Sequence, residues 1–367
     1  MSDLQELPLT TGASRAPAQS YDVALLDLDG VVYVGPDAVA GVPGALAQAR
    51  QSGLRLGFVT NNASRTPEQV AEHLTELGVP AGSEDVITSS QAAASVVLAR
   101  WGSGARVLPV GGTGVATALR AAGLAVVDGA RDEPVAVVQG YGREVGWTSL
   151  AEAVVAIRAG ARHVATNTDA TIPSPRGPLP GNGAMVAVVS GVTGQSPLVT
   201  GKPDPAMHAE CVRRTGATRP LVVGDRLDTD IEGARRAGAA SLLVLTGVTD
   251  PPALLAAGAE RRPDLLAADC AGLLVPHPPV VREGEAWRCG RWLARARPDP
   301  RVGLSLAADG AAGPGAAGGQ IADDGLDGLR ALCVAHWAGP TGAEAPTVST
   351  ADAAAAAAVR EWGLVGC

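Results

Sequence analysis

Aromatic residues are scarce in this 367-residue chain, at 3%, and charged residues stop at 18%. Cysteine is also sparse: Cys211, Cys270, Cys289, Cys333 and Cys367 are widely spaced, odd in number and without a CxxC pair. That pattern argues against both a disulfide framework and a zinc site. There is no Lys/Arg-rich run and the formal net charge is -8, so a nucleic-acid surface is disfavoured. No apolar run reaches membrane-spanning length, and the six alanines 353–358 read as a helix former. The first twenty residues lack a basic start followed by an apolar block, so no signal peptide is expected and a cytoplasmic location is the natural reading. Apolar residues, by contrast, make up 46% of the chain, enough for a sizeable core and more than one domain.

The chain is organised around Val23-Ala24-Leu25-Leu26-Asp27-Leu28-Asp29-Gly30. A short apolar run of this kind reads as a strand buried on both faces. Asp27 and Asp29 then stand at its carboxyl end, where open α/β sheets bind their ligands. Carboxylates this close repel each other unless a cation or a shared proton intervenes.

Residues 1–20 read as a loose arm. Strand and helix then alternate: a helix over 43–52, a strand over 54–59 ending in Thr60-Asn61-Asn62, and a helix opened by the capping box Thr66-Pro67-Glu68-Gln69. That order is a parallel-sheet signature. From 85 to 195 the alternation repeats with strand ends that carry no acidic pair, which predicts an inserted α/β layer. The first domain, 21–84, resumes at 196 and runs to 274. It carries Gly201-Lys202-Pro203-Asp204-Pro205 and the strand 221–224, which ends in Asp225-Arg226-Leu227-Asp228-Thr229-Asp230. Val275-Pro276-His277-Pro278-Pro279 reads as a stiff linker and boundary. Beyond it, 280–367 holds Trp287, Trp292, Trp337 and Trp362, which predicts a small α+β extension with its own core. Within that extension, Ala311–Gly319 reads as a flexible loop.

Four strand ends thus carry Asp27/Asp29, Thr60/Asn61, Lys202 and Asp225/Asp230. In a parallel sheet they lie on one edge, so a nucleophile, an acid, a hydroxyl and an ammonium can converge. Such a set suits phosphoryl transfer, which is positioning plus charge stabilisation. A divalent cation would bridge Asp27 and Asp225. Thr60 and the backbone at Asn61 would donate to phosphate oxygens, and Lys202 would offset their charge. Asp27 would attack phosphorus, and Asp29 would protonate the leaving alkoxide and later activate water.

With those residues in view, DLDGV (27–31), FVTNNAS (58–64), GKPDP (201–205) and GDRLDTD (224–230) resemble the haloacid dehalogenase-like phosphatases, in the NagD-like branch. The resemblance implies a doubly wound, Rossmann-like parallel-sheet core with an inserted α/β cap of the C2 type over 85–195. It implies a magnesium site at Asp27, Asp225 and the backbone carbonyl of Asp29, supported by Asp230. It extends phosphate binding to Thr60, Asn61, Asn62 and Lys202. It also implies a cap substrate loop, Thr166-Asn167-Thr168-Asp169 through Pro180-Gly181-Asn182-Gly183, with Asn167 and Asp169 as substrate contacts. Thr168 stands where many relatives have Pro. With the tail included, the layout resembles glycerol 3-phosphate phosphatases whose extension is acetyltransferase-like, although no clear acetyl-CoA phosphate loop is present.

The expectation is therefore a magnesium-dependent phosphatase of a small phosphorylated metabolite, glycerol 3-phosphate first, with no nucleic-acid or membrane partner and a homo-oligomer left open. Phosphoglycolate or a generic 4-nitrophenyl phosphate is the runner-up: the substrate loop is polar with Arg176 its only positive residue, which suits hydroxyl groups better than a carboxylated leaving group, although Arg176 could reverse this. From another class, a phosphoacceptor signalling domain shares the acidic pair, Thr and Lys, but needs no inserted layer. Gly111-Gly112-Thr113-Gly114 invites a dinucleotide reading, yet position 117 is Thr where the fingerprint needs glycine, so a strand-to-helix turn is expected. His208 has no second His at ligand spacing. Asp230 reads almost equally as the N-cap of a helix at Ile231, and Asn62 as the completion of a turn.

Overall fold

The apolar run after Asp22 folds as the strand Val23–Asp27, with its first four residues buried. The computed structural model describes residues 7–172, 176–296, 303–308, 324–339 and 346–364, and the chain divides into two units, 1–56 with 219–367, and 57–218. In the first unit the parallel strands Leu265–Ala267, Ala240–Val244, Pro220–Gly224 and Val23–Asp27 lie side by side in that order. Leu26 pairs with Val223, so Asp27 and Asp225 leave adjacent strands at the same end. The strand Arg55–Thr60 starts in this unit, where the Arg55 amide donates to the Asp22 carbonyl (3.2 Å), and carries the chain into the second.

In the second unit Phe58–Thr60 pairs in parallel with Val86–Thr88. The expected capping box opens the helix Pro67–Glu76: Thr66 N–H donates to Gln69 Oε1 (3.0 Å) and Gln69 N–H to Thr66 Oγ1 (3.4 Å). A five-stranded parallel sheet forms in the order Leu198–Val199, Arg162–Ala165, Ala136–Gln139, Arg106–Val110, Ala125–Val126. Its strands alternate between two cores. Val107, Ala136, Val138 and Val164 meet the helices Ser89–Trp101 and Thr113–Ala121, while Leu108, Val110 and Val137 meet Trp147–Arg158 and Asn182–Thr193. Helices on both faces explain why these strands read as unbroken apolar runs. The glycines at 111–114 form the expected strand-to-helix turn. A Cβ at Gly114 would lie 2.4 Å from the Arg65 carbonyl oxygen, so glycine there permits close backbone approach.

The extension is a five-stranded sheet, Val281–Glu283, Ala286–Cys289, Trp292–Ala296, Leu304–Ala308 and Val348–Thr350, antiparallel except for its last, parallel pair. The helices Asp327–Trp337 and Ala353–Glu361 accompany it. The expectation of a separate core is corrected. Leu329, Leu332, Val334 and Trp337 share one apolar cluster with Ile231, Leu243, Leu254, Leu255 and Leu266 of the first unit's α/β part. The helix Asp327–Trp337 is buried nearly all round, with His336 its one residue not fully buried.

Two further expectations change. The arm is not loose from Leu7 onward: Leu9, Ala16 and Ala18 are buried, and Ala13 and His277 exchange backbone hydrogen bonds at 2.8 Å in both directions. The linker around His277 is therefore docked, with the His277 ring bonded to the Gly272 carbonyl at 2.8 Å. Ala311–Gly319 lies outside the described residues.

One buried ion group ties the extension down. Arg330, 1% exposed, donates to Asp324 (2.7 and 2.6 Å), Asp327 (2.8 Å) and the Leu266 carbonyl (2.6 Å). Arg330→Ala leaves these acceptors uncompensated, so a stability loss of about 3–5 kcal/mol is expected from urea unfolding. An unchanged midpoint would show that the network contributes nothing.

Candidate active site

Asp27 is the last residue of its strand, and Asp225 directly follows Pro220–Gly224. One carboxylate oxygen each from Asp27, Asp225 and Asp230 lies within 4.8 Å of the others. Asp225 and Asp230 are buried and Asp27 is half-buried. Gly30 adopts φ 86°, and a Cβ there would fall 2.5 Å from Asp225 Oδ2, so both conformation and space require glycine. Across the carboxylate, a Cβ at Gly247 would lie 2.0 Å from the same oxygen, and the Val248 N–H donates to it at 2.6 Å. The Thr246 hydroxyl donates to the Gly30 carbonyl, closing this loop onto the turn that carries Asp29. The loop Thr246–Val248 was not anticipated from the sequence.

Asp230 does not cap a helix at Ile231. It lies inside a single π turn, Leu227–Ile231, and its carboxylate turns back to accept the Arg226 N–H at 3.2 Å. The α-helix proper begins afterwards at Glu232. A Cβ at Gly224 would sit 2.2 Å from Asp230 Cβ, so glycine before Asp225 admits this return. Asp29 is exposed and its side chain is outside the three-carboxylate cluster. Three hard oxygen donors in mutual repulsion, two of them buried, match what a small divalent cation selects.

The second unit gathers the other expected residues. Thr60 is buried at the end of its strand, and its hydroxyl accepts the Asn62 N–H at 3.0 Å. Asn62 is exposed and completes a turn, its Oδ1 accepting the Ser64 N–H (2.9 Å) and hydroxyl (2.7 Å). Asn61 reaches two other segments: it accepts the Lys202 N–H at 2.8 Å and donates to the Lys202 carbonyl at 3.1 Å and to Asp169 at 3.3 Å. Asn167 donates to the Asn61 carbonyl at 2.7 Å and accepts the Asp169 N–H at 3.1 Å. Asn182, at the start of its helix, donates to the Asn167 carbonyl at 2.8 Å and fixes the substrate loop from beneath. On the neighbouring strands, buried His163 meets Gln139 at 2.9 Å. Desolvation, joined by the charge of Arg162, pushes the His163 pKa down to about 4, so it is neutral at physiological pH. Gln139 and His163 were not singled out from sequence.

Other nucleophiles are poorly placed. Burial pushes the Cys211 and Cys270 thiols up to about 12, far from thiolate chemistry at neutral pH. His208 is half-buried, its pKa lowered by desolvation, and it joins no metal-binding group among the described residues.

Residues 24–125 match the family model for haloacid dehalogenase-like hydrolases, 199–273 a second model of HAD-like hydrolases, and 289–364 that of a GCN5-related N-acetyltransferase-like domain. The D-glycerol 3-phosphate phosphatase of Mycobacterium tuberculosis is 42% identical over 359 residues, 96% of either chain. An acid sugar phosphatase of Staphylococcus aureus is 40% identical over 234 residues, 63% of this chain and 89% of the relative. Among solved structures, a glycerol phosphate phosphatase from M. tuberculosis in complex with magnesium matches with a TM-score of 0.82 at 41% identity. That match covers 96% of this chain and 99% of that one. The p-nitrophenyl phosphatase of Archaeoglobus fulgidus matches at 0.64 and 28% identity, covering 69% and 98%.

Proposed function

The chain belongs to the haloacid dehalogenase-like hydrolases, and from that premise we propose that it hydrolyses small phosphomonoesters, glycerol 3-phosphate foremost. The observation that carries the substrate is the 42% identity to a D-glycerol 3-phosphate phosphatase, which spans 96% of both chains and so includes the extension. The site residues suit the chemistry. Asp27 attacks phosphorus and forms an aspartyl-phosphate as the bond to the leaving alkoxide breaks. Asp29 gives that alkoxide its proton, then takes one from water, which attacks the intermediate and releases inorganic phosphate and free Asp27. The exposure of Asp29 suits a group that must exchange protons with substrate and water.

Asp27 and Asp225 would hold magnesium with the carbonyl of Asp29, and Asp230 would support them. The fit rests on the three converging carboxylate oxygens and on the glycines that leave room around Asp225. Bound there, the cation supplies charge neutralisation and polarises phosphate oxygens. Thr60, the backbone at Asn61 and Asn62, and Lys202 are assigned to the phosphate, and Asn167 and Asp169, in the cap 85–195, to the leaving group. The reading includes a cytoplasmic protein with buried free thiols and leaves room for a homo-oligomer. Among the described residues no helix is long and apolar enough to cross a membrane.

The test is catalytic efficiency on glycerol 3-phosphate, phosphoglycolate and 4-nitrophenyl phosphate under one condition, with magnesium and with a chelator. Highest efficiency on glycerol 3-phosphate and loss of turnover in chelator are expected. A preference for phosphoglycolate would discard glycerol while leaving the mechanism in place; it would assign Arg176, which is exposed in the substrate loop, to the extra carboxylate. Retention of phosphate on the protein without turnover would favour a phosphoacceptor domain.

A further inference from the structure

Resting on the phosphatase reading, we propose that the side chain of Asn61 is a positioning group, not a phosphate ligand. It couples the substrate loop of the insertion to the lysine that neutralises the phosphate. Asn61 Oδ1 accepts the Lys202 N–H at 2.8 Å, while Nδ2 donates to the Lys202 carbonyl at 3.1 Å and to Asp169 Oδ2 at 3.3 Å. Both amide hydrogens and the amide oxygen are therefore engaged. One side chain holds both main-chain polar groups of Lys202 and so fixes the direction in which its ammonium leaves the backbone. Lys202 is the only lysine in the chain, so no neighbouring ammonium can take over if it is misdirected.

The clamp is itself held. The Asn61 carbonyl accepts the Ser89 hydroxyl and the Asn167 amide, both at 2.7 Å. A Cβ at Gly201 would lie 2.6 Å from Asn61 Oδ1 and 2.2 Å from the Thr166 carbonyl oxygen, so glycine at 201 makes room for it. Asp169 is tied through its N–H to Asn167, and Asn167 through its carbonyl to Asn182. A leaving group that moves Asp169 therefore pulls on the residue that aims Lys202. Substrate identity is thereby read out in kcat as well as in KM. Asparagine suits the position because the clamp needs one acceptor and two donors on a short planar group; aspartate offers no donor.

The experiment uses the full-length protein with Asn61→Ala, Asn61→Asp, and Asn61→Asp combined with Asp169→Asn. Kinetics are taken on 4-nitrophenyl phosphate, and hydrogen exchange is followed over 198–206. Misaiming Lys202 is expected to lower kcat about 10²-fold in both single variants, with KM moving much less. In the double variant the amide at 169 can donate to the carboxylate at 61, and about tenfold of kcat is expected to return. The Lys202 amide should exchange faster in Asn61→Ala and stay protected in Asn61→Asp, which keeps the acceptor. Unchanged kcat in Asn61→Ala, no recovery in the double variant, or Lys202 protection unaltered by alanine would each overturn the clamp. Absence of phosphate release by the unsubstituted protein would instead dispose of the phosphatase reading, and the exchange data would still decide the clamp.

Discussion

Asp27→Asn is expected to lower phosphate release by about 10⁴-fold or more while circular dichroism and the unfolding midpoint stay near those of the unsubstituted protein. The substitution keeps volume and shape at the end of a strand whose other residues are buried, so the packing of the strand is kept. What it removes is the carboxylate proposed to attack phosphorus, and an amide is not a nucleophile at this task. Asp27 also shares its space with Asp225 and Asp230, within 4.8 Å. Removing one of three mutually repelling charges relieves the metal-free protein, so without magnesium the variant should unfold no earlier than the unsubstituted protein. Magnesium binding should weaken in parallel, because one proposed ligand has lost its charge. Asp29→Asn serves as the control. Its losses should be large on glycerol 3-phosphate, whose alkoxide needs a proton, and smaller on 4-nitrophenyl phosphate, whose phenolate leaves without one. Near-normal rates in Asp27→Asn would remove the aspartate from the role of nucleophile.

Much of this candidate site is legible because the residues proposed for it stand at strand ends, and strand ends are readable. Val23–Asp27 and Pro220–Gly224 are apolar runs that stop abruptly at acids, and Thr66-Pro67-Glu68-Gln69 announces its helix. Asp230 was ambiguous because a π turn has no sequence signal that separates it from an N-cap followed by a helix; only the turned-back carboxylate decides it. The loop Thr246–Val248 was missed because its contribution is a backbone N–H and the absence of a side chain at Gly247. Gln139 and His163 were missed because polar residues on a buried strand look like ordinary strand residues until their partner is known. The sequence carries one further signal. Lysine occurs once in 367 residues, at 202, in a chain that uses arginine everywhere else. A compact ammonium kept where arginine is the rule points to a site that needs a point charge. The segment 275–279 falls between the residues matched by the two family models, 199–273 and 289–364, but its docking is not legible, because prolines mark stiffness, and stiffness is as compatible with a docked segment as with a linker.

That docking makes removal of everything after Leu274 the other severe change. The shortened chain is expected to be insoluble, or to lose cooperative unfolding, even though every residue assigned to the reaction remains. Leu243, Leu254, Leu255 and Leu266 lie within the α/β part but are buried in one cluster with Trp292, Leu329, Leu332 and Trp337 of the extension. Trp337 donates its indole N–H to the Leu255 carbonyl at 3.1 Å, and the Arg262 guanidinium lies 5.2 Å from the Trp337 ring centroid. Arg330 donates to the Leu266 carbonyl on the same wall. Each large apolar side chain newly exposed costs about 1.5–3 kcal/mol. A domain's net stability is only about 5–15 kcal/mol, so a few such side chains exhaust it. Ala13 would also lose its two backbone bonds to His277, freeing the amino-terminal segment. A milder probe keeps the protein whole: Trp337→Ala should cost about 3–5 kcal/mol in urea unfolding. Its kcat at low temperature should stay close to that of the unsubstituted enzyme, since no assigned reaction residue touches Trp337. A truncated protein that is soluble, unfolds cooperatively and turns over normally would show that the extension is dispensable to the fold. Acetyl transfer by the full chain, lost on truncation, would give the extension a chemistry of its own.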